Sequence, residues 1–232
     1  MMRGKDKNMA TGEYMAAEEC SKNVLEILDL LEERYPDAAC ALDHQNPFQL
    51  LVATVLSAQT TDKSVNRVTC RLFEAYPTPK ELAGGNPEEV ENIIRTIGMY
   101  RTKARNIISL SRELVIRYQG KVPGVYEELI SLPGVGRKTA NVVLSVAFGE
   151  QRIAVDTHVF RVANRIGLAQ AKDVLTTEIQ LMEIVPRERW SRTHHSLIFH
   201  GRDLCEARNP QCQLCPILKY CQYHLSKEGK NK

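Results

Sequence analysis

No apolar run in this 232-residue chain approaches the length of a membrane span; the longest, Leu50–Ala58 and Asn141–Phe148, are far too short. The opening stretch, Met1 to Met15, carries charges but no apolar core, so it does not read as an export signal. No sequence repeat of fixed period and no low-complexity linker is present, which excludes solenoids and fibrous assemblies. A large charge imbalance is missing too: 31 Lys and Arg face 28 Asp and Glu, a formal net charge of +3. If a nucleic acid is the partner, the positive charge has to be concentrated on one face. What is there is an ordinary globular mix, 43% hydrophobic and 25% charged, enough for one large domain or two small ones. The expected location is the cytoplasm, where structural disulfides are disfavoured.

The pattern is helical almost throughout, and no alternating run supports a strand. Val24, Leu25, Leu28 and Leu31 recur at the spacing of one helix face. Asn86-Pro87-Glu88-Glu89 reads as an N-cap, a first-turn proline and dipole-matched acids, opening a helix that should end near Gly98. Lys103–Tyr118 is an amphipathic helix stopped by Gln119-Gly120. Further helices are expected over Val125–Ser131, Arg137–Phe148, Val159–Ile166, Asp173–Val185 and Trp190–His200, with ragged tails at 1–18 and 226–232. The fold class is all-α.

The 7 cysteines fall into two groups. Cys20, Cys40 and Cys70 stand singly in helical contexts and read as small buried apolar residues. Cys205, Cys212, Cys215 and Cys221 are spaced C-x6-C-x2-C-x5-C, with Pro210 and Pro216 favouring turns between them. Four thiolates that close in sequence can converge on one metal centre. Spacing alone leaves zinc and an iron–sulfur cube both open. Arg202 and Arg208 flank the first cysteine and can present charge to a phosphate; solvated surface arginines look the same in a sequence.

Leu132-Pro133-Gly134-Val135-Gly136-Arg137-Lys138 links a short helix to a longer one. Two glycines allow a tight turn and close approach to a ligand, and the amides opening the second helix favour an anion. Such a hairpin grips phosphates without reading bases. Lys138 lies in the first turn of that second helix. It is either one more cation for the backbone or, as a neutral amine, a nucleophile that attacks C1′ of a sugar to form a Schiff base. Asp156, in Ile153-Ala154-Val155-Asp156-Thr157-His158, is an N-cap candidate. A carboxylate held there can also stabilise a cationic sugar or take a proton. His158 either lines the same cleft or packs. His194, His195 and His200 show no ligand pattern.

LPGVGRKTA, VDTH and the four-cysteine tail, in that order, resemble the endonuclease III family of the helix–hairpin–helix DNA glycosylases. The likeness extends to Leu56–Asp62, Thr96–Tyr100, Asn141–Leu144 and His200-Gly201-Arg202, and spans about Glu19 to Tyr223. The resemblance implies a six-helix barrel over 40–150 and a second helical domain of 19–39 plus 151–225 that carries one 4Fe–4S cluster on Cys205, Cys212, Cys215 and Cys221. It implies excision of oxidised pyrimidines from double-stranded DNA, and abasic-site lyase activity, by a nucleoid-associated monomer. Lys138 takes the nucleophile position and Asp156 the catalytic carboxylate position. Gln59 matches a residue inserted into the gap left by the extruded nucleotide, and Met99 stands at a leucine wedge. Leu132, Gly134, Val135, Gly136, Arg137, His158, Arg202 and Arg208 are the remaining expected DNA contacts. Asn209 stands where a basic residue is expected, with Arg208 as the substitute. Rival readings are the adenine-removing mismatch glycosylase of the same superfamily, expected to lack the lysine and to carry a further C-terminal domain, and a non-catalytic iron–sulfur DNA-binding protein.

Overall fold

The computed structural model describes residues 23–228, and every regular element among them is helical. After a helix over 23–34 (α1) come α2 (Pro47–Leu56), α3 (Asp62–Ala75), α4 (Pro79–Ala83), α5 (Pro87–Ile94), α6 (Tyr100–Tyr118), α7 (Tyr126–Ile130) and α8 (Arg137–Phe148). Then follow α9 (Thr157–Ile166), α10 (Val174–Ile184), α11 (Trp190–Asp203) and α12 (Gln222–Glu228). The chain divides into two compact units, one of Cys40–Ala154 and the other of the residues on either side of it. Cys20 and the expected N-terminal tail lie outside the described residues, as do residues 229–232. The C-terminal tail expected from 226 is helical through Glu228.

The unit of Cys40–Ala154 is organised around α2. Nine of its ten residues are buried, Phe48 through Leu56, so it is covered on every side. Asn46 caps its start by accepting from the Gln49 N–H, and Pro47 occupies the first turn. Helices α3, α6 and α8 pack on it. The buried stripe of α6 contributes Ala104, Ile107, Ile108, Leu110 and Leu114. The continuous core runs from Leu42 to Leu144.

Helix α9 starts at Thr157 rather than Val159, and α11 runs to Asp203 rather than His200. In the Cys40–Ala154 unit two boundaries differ from expectation by three residues or more, each for a local reason. Helix α5 stops at Ile94 rather than near Gly98, because Ile97 turns into the core and Met99 adopts a left-handed backbone (φ 55). Helix α6 therefore starts at Tyr100, three residues before Lys103. The start and stop of α8 match the reading to the residue: Gly136 stands before it, and Gly149, at φ 70, ends it.

In the second unit α9 packs on α10, α11 and α12. Ion pairs fasten α1 to the later segments: Arg189 to Asp29 and Glu32, each at 2.8 Å, and Lys219 to Glu26 at 2.7 Å. Cys40 is half-buried and Cys70 exposed, so neither is the buried core residue expected.

Leu51 has no exposed surface and sits at the centre of the α2 packing. Leu51→Ala should lower unfolding free energy by roughly 2–5 kcal/mol in urea titration. A loss below about 1 kcal/mol would mean that α2 is not the organising element.

Candidate functional site

The hairpin between α7 and α8 is held from beneath by its own apolar residues. Leu132 is 3% exposed and Val135 7%, and the Val135 N–H closes on the Leu132 carbonyl at 3.1 Å. The side chains of Leu132 and Val135, expected as DNA contacts, are therefore core residues; only their backbone remains for a ligand. The two glycines between them differ. Gly134 has φ +78, and a Cβ there would lie 2.9 Å from Asn106 Nδ2 on α6. Gly136 is extended, and a Cβ there would meet nothing within 4 Å. No side chain caps α8, unlike α3, α5 or α9. Its opening turn thus keeps the anion-favouring character of a helix start. Arg137 is exposed beside it, stacked on Tyr126 at 5.8 Å, and Lys138 follows half-buried.

Asp156 is the N-cap of α9. Its Oδ1 accepts from the backbone N–H groups of His158 and Val159, both at 2.8 Å. No bond to Oδ2 is found among the described residues, so a rigidly held carboxylate keeps one oxygen for other chemistry. Lys138 belongs to the Cys40–Ala154 unit and Asp156 to the other. On α8, Asn141 is 2% exposed and donates from Nδ2 to the Ile153 carbonyl at 3.0 Å, which anchors the segment that leads toward Asp156. His158 is half-buried, with Arg161 Nη2 3.2 Å from its Nδ1.

Gln59 and Met99 are both exposed and both left-handed, at φ 53 and φ 55. Such backbones are uncommon for residues with side chains and cluster at functional sites. Lys103 is one residue the sequence reading missed. It is only 3% exposed, its Nζ donates to Thr60 Oγ1 at 2.8 Å, and burial holds its pKa below the usual lysine value. Its signal was a lysine on the apolar stripe shared with Ile107 and Leu114.

The four cysteines line one cavity with an empty volume of about 360 Å³, solvent mouth included, together with Ile166, His200, Leu204 and Ile217. Among the described residues no group of His, Cys, Asp and Glu converges as a site for a single ion. Four thiols around a shared apolar void fit a group larger than one ion. Burial pushes the Cys215 thiol up to about 11 and raises that of Cys221. His200, which shows no ligand pattern in sequence, is buried against the cysteine loop: its Nε2 lies 3.6 Å from Cys215 Sγ and its Nδ1 3.2 Å from the Tyr35 hydroxyl, which donates to Asp203. Burial lowers its pKa to about 4, so it is neutral at pH 7. Two further residues missed by the sequence reading, Arg161 and Arg165, fasten the cysteine loop by its carbonyls. Arg161 reaches Gly201 and Cys205 at 2.8 and 3.2 Å, and Arg165 reaches Glu206 and Ala207 at 2.7 and 3.0 Å. Arg202 and Arg208 are exposed. Asn209 has φ 53, a geometry that asparagine tolerates better than a long basic side chain does.

The two hairpin glycines make opposite predictions. Gly134→Ala should cost at least about 1 kcal/mol of unfolding free energy, from the left-handed backbone and the Asn106 contact. Gly136→Ala should stay within about 0.5 kcal/mol of wild type. Equal losses in denaturant titrations would contradict the division between them.

The profile described as HhH-GPD superfamily base excision DNA repair protein matches residues 52–187. The chain is 51% identical over 204 residues to endonuclease III of Bacillus subtilis (strain 168), covering 88% of this chain and 93% of that one. It is 48% identical over 199 residues to endonuclease III of Escherichia coli (strain K12), covering 86% and 94%. A solved structure of a trapped endonuclease III–DNA covalent intermediate superposes with a TM-score of 0.86 at 52% identity, covering 90% of this chain and 98% of that one. By these measures the chain belongs to the endonuclease III family of the HhH-GPD superfamily of base excision DNA repair proteins.

Proposed function

We propose that this chain excises oxidised pyrimidines from double-stranded DNA and then cuts the strand at the resulting sugar, with Lys138 as the nucleophile. Membership of the family makes it a DNA glycosylase and abasic-site lyase. The observation that carries the assignment of Lys138 is its position: half-buried in the first turn of an uncapped helix, behind a hairpin shaped to accept a phosphate backbone.

The order of events follows from the groups in place. A base inside a duplex is out of reach, so it has to be swung out of the stack, and poor pairing of a damaged base lowers the cost. Gln59 and Met99 fill the gap and keep the duplex open. The backbone at Gly134 and Gly136 takes phosphate, with Arg137, Arg202, Arg208 and His158 as further contacts. The Lys138 amine attacks C1′. The N-glycosyl bond breaks and its electron pair leaves with the base, which takes up a proton. Asp156 Oδ2 stabilises the positive charge that develops on the sugar. The nitrogen–C1′ adduct opens to the imine. Loss of a C2′ proton then breaks the C3′–O bond on the 3′ side, and water releases the lysine. The chain acts as a monomer.

Cys205, Cys212, Cys215 and Cys221 hold one 4Fe–4S cluster, supported by the shared cavity they line. Its contribution when bound is structural: it organises a loop of short 3₁₀ turns that has little core of its own. The residues that attack the sugar do not depend on electron transfer from it.

Lys138→Gln should abolish both excision and strand cleavage on a thymine-glycol duplex. Asp156→Asn keeps the cap and should retain folding and DNA binding while losing about 10²-fold or more in turnover. Wild-type rates in either variant would overturn its assigned role. The purified protein should be yellow-brown with about four irons per chain. Removing the iron should expose the 204–221 loop to protease. A colourless zinc-loaded protein would contradict the cluster.

A further inference from the structure

Lys103 has no part in the chemistry above, yet its placement is expensive. Its ammonium is buried, and no carboxylate among the described residues pairs with it; its one side-chain partner is Thr60 Oγ1. A charge removed from water without a counter-charge destabilises a fold. At 3% exposure the amine does not meet a deoxyribose, so a second nucleophile is not its use.

Its two attachments define what it does. Through its backbone N–H it bonds the Met99 carbonyl at 3.0 Å, closing the first turn of α6. Through its side chain it crosses to Thr60, the residue after Gln59. Gln59 and Met99 are two of the three non-glycine residues with positive φ in the Cys40–Ala154 unit; the third, Gln119, ends α6 as a C-cap. Strained backbones of this kind persist where the surroundings over-determine them. Met99 has no side-chain cap to hold it. The Gln59 turn is closed on itself only by local bonds, the Thr60 N–H to Ser57 O at 3.0 Å and a long one from the Thr60 hydroxyl to Ala58 O at 3.4 Å. Lys103 is the group that touches both.

We propose that Lys103 is a positioning residue for base extrusion: a buried clamp that ties the 57–61 turn to the start of α6, so that Gln59 and Met99 enter the DNA gap as one rigid pair. The inference rests on the reading of Gln59 and Met99 as gap-filling residues. The ammonium suits this role better than an apolar side chain of the same length, because it bonds directionally to the threonine hydroxyl. Burial of the lysine limits the access of water to the donor side of that bond.

The test separates extrusion from lyase chemistry in the intact, cluster-loaded protein. Lys103→Met keeps the stem and removes the ammonium. Thr60→Val removes the acceptor at a half-exposed site, and Thr60→Ser restores it. One arm follows 2-aminopurine fluorescence beside a thymine glycol in a duplex, together with single-turnover excision. The other arm traps each protein with borohydride on a single-stranded abasic oligonucleotide, which needs no extrusion. Lys103→Met and Thr60→Val should lose the fluorescence rise and about 10- to 100-fold in duplex excision rate. Both should trap single-stranded abasic DNA at the wild-type rate, and Thr60→Ser should match wild type in both arms. The clamp is overturned if both variants keep duplex excision and fluorescence within about twofold of wild type. It is equally overturned if the two arms fall together, which is the signature of a damaged fold. Fluorescence reads extrusion before any bond is broken, so a failure of the lyase reading would appear in the trap alone.

Discussion

The structure depends on how the chain enters α8. A left-handed glycine packed against Asn106 turns the backbone, and two buried apolar residues pin the turn on either side. The helix then begins at a residue with no side chain to cap it. Those constraints place Lys138 half-buried in a first turn open to an anion. A cap at Gly136 would seal the amides, and a loose turn would let the amine wander. Either change removes the reason for a lysine there.

Strain elsewhere follows the same logic. Among the described residues, the non-glycine residues with left-handed backbones are Gln59, Met99, Gln119 and Asn209. One is an ordinary helix ending. The other three lie where the resemblance expects DNA or its immediate neighbourhood. An exposed side chain on a strained backbone is aimed, and aiming needs rigid support. That support comes from the core beneath, from Lys103 for two of them, and for the cysteine loop from Arg161 and Arg165. The arginines act on carbonyls, so they shape the loop whatever side chains it carries.

Much of the fold was legible because its boundaries are written in local chemistry. Gly136 and Gly149 bracket α8, Asn86-Pro87 opens α5, and Asp156 and Asp173 open α9 and α10. Helix α2 was not assigned as a helix, since burial on all sides erases the periodicity that marks a helix face. The start of α6 was missed because a left-handed methionine leaves no trace in sequence. At the site, the motif residues were legible as chemistry: the hairpin, the lysine, the capping aspartate and the four cysteines. Their supports were not. His200 faces Cys215 and Lys103 reaches Thr60 across 43 positions of chain, and only the packed structure brings such pairs together. Leu132 and Val135 went the other way: the motif drew them into the interface, and packing put their side chains in the core.

The central claim is that one amine, that of Lys138, bonds to the sugar. The direct measurement is mass-spectrometric mapping of the borohydride-reduced adduct after proteolysis of wild-type protein trapped on abasic duplex DNA. The account predicts a deoxyribose-derived mass on Lys138 and on no other residue. An adduct on Lys103, on another lysine or on the chain's amino terminus, with Lys138 unmodified, would contradict it.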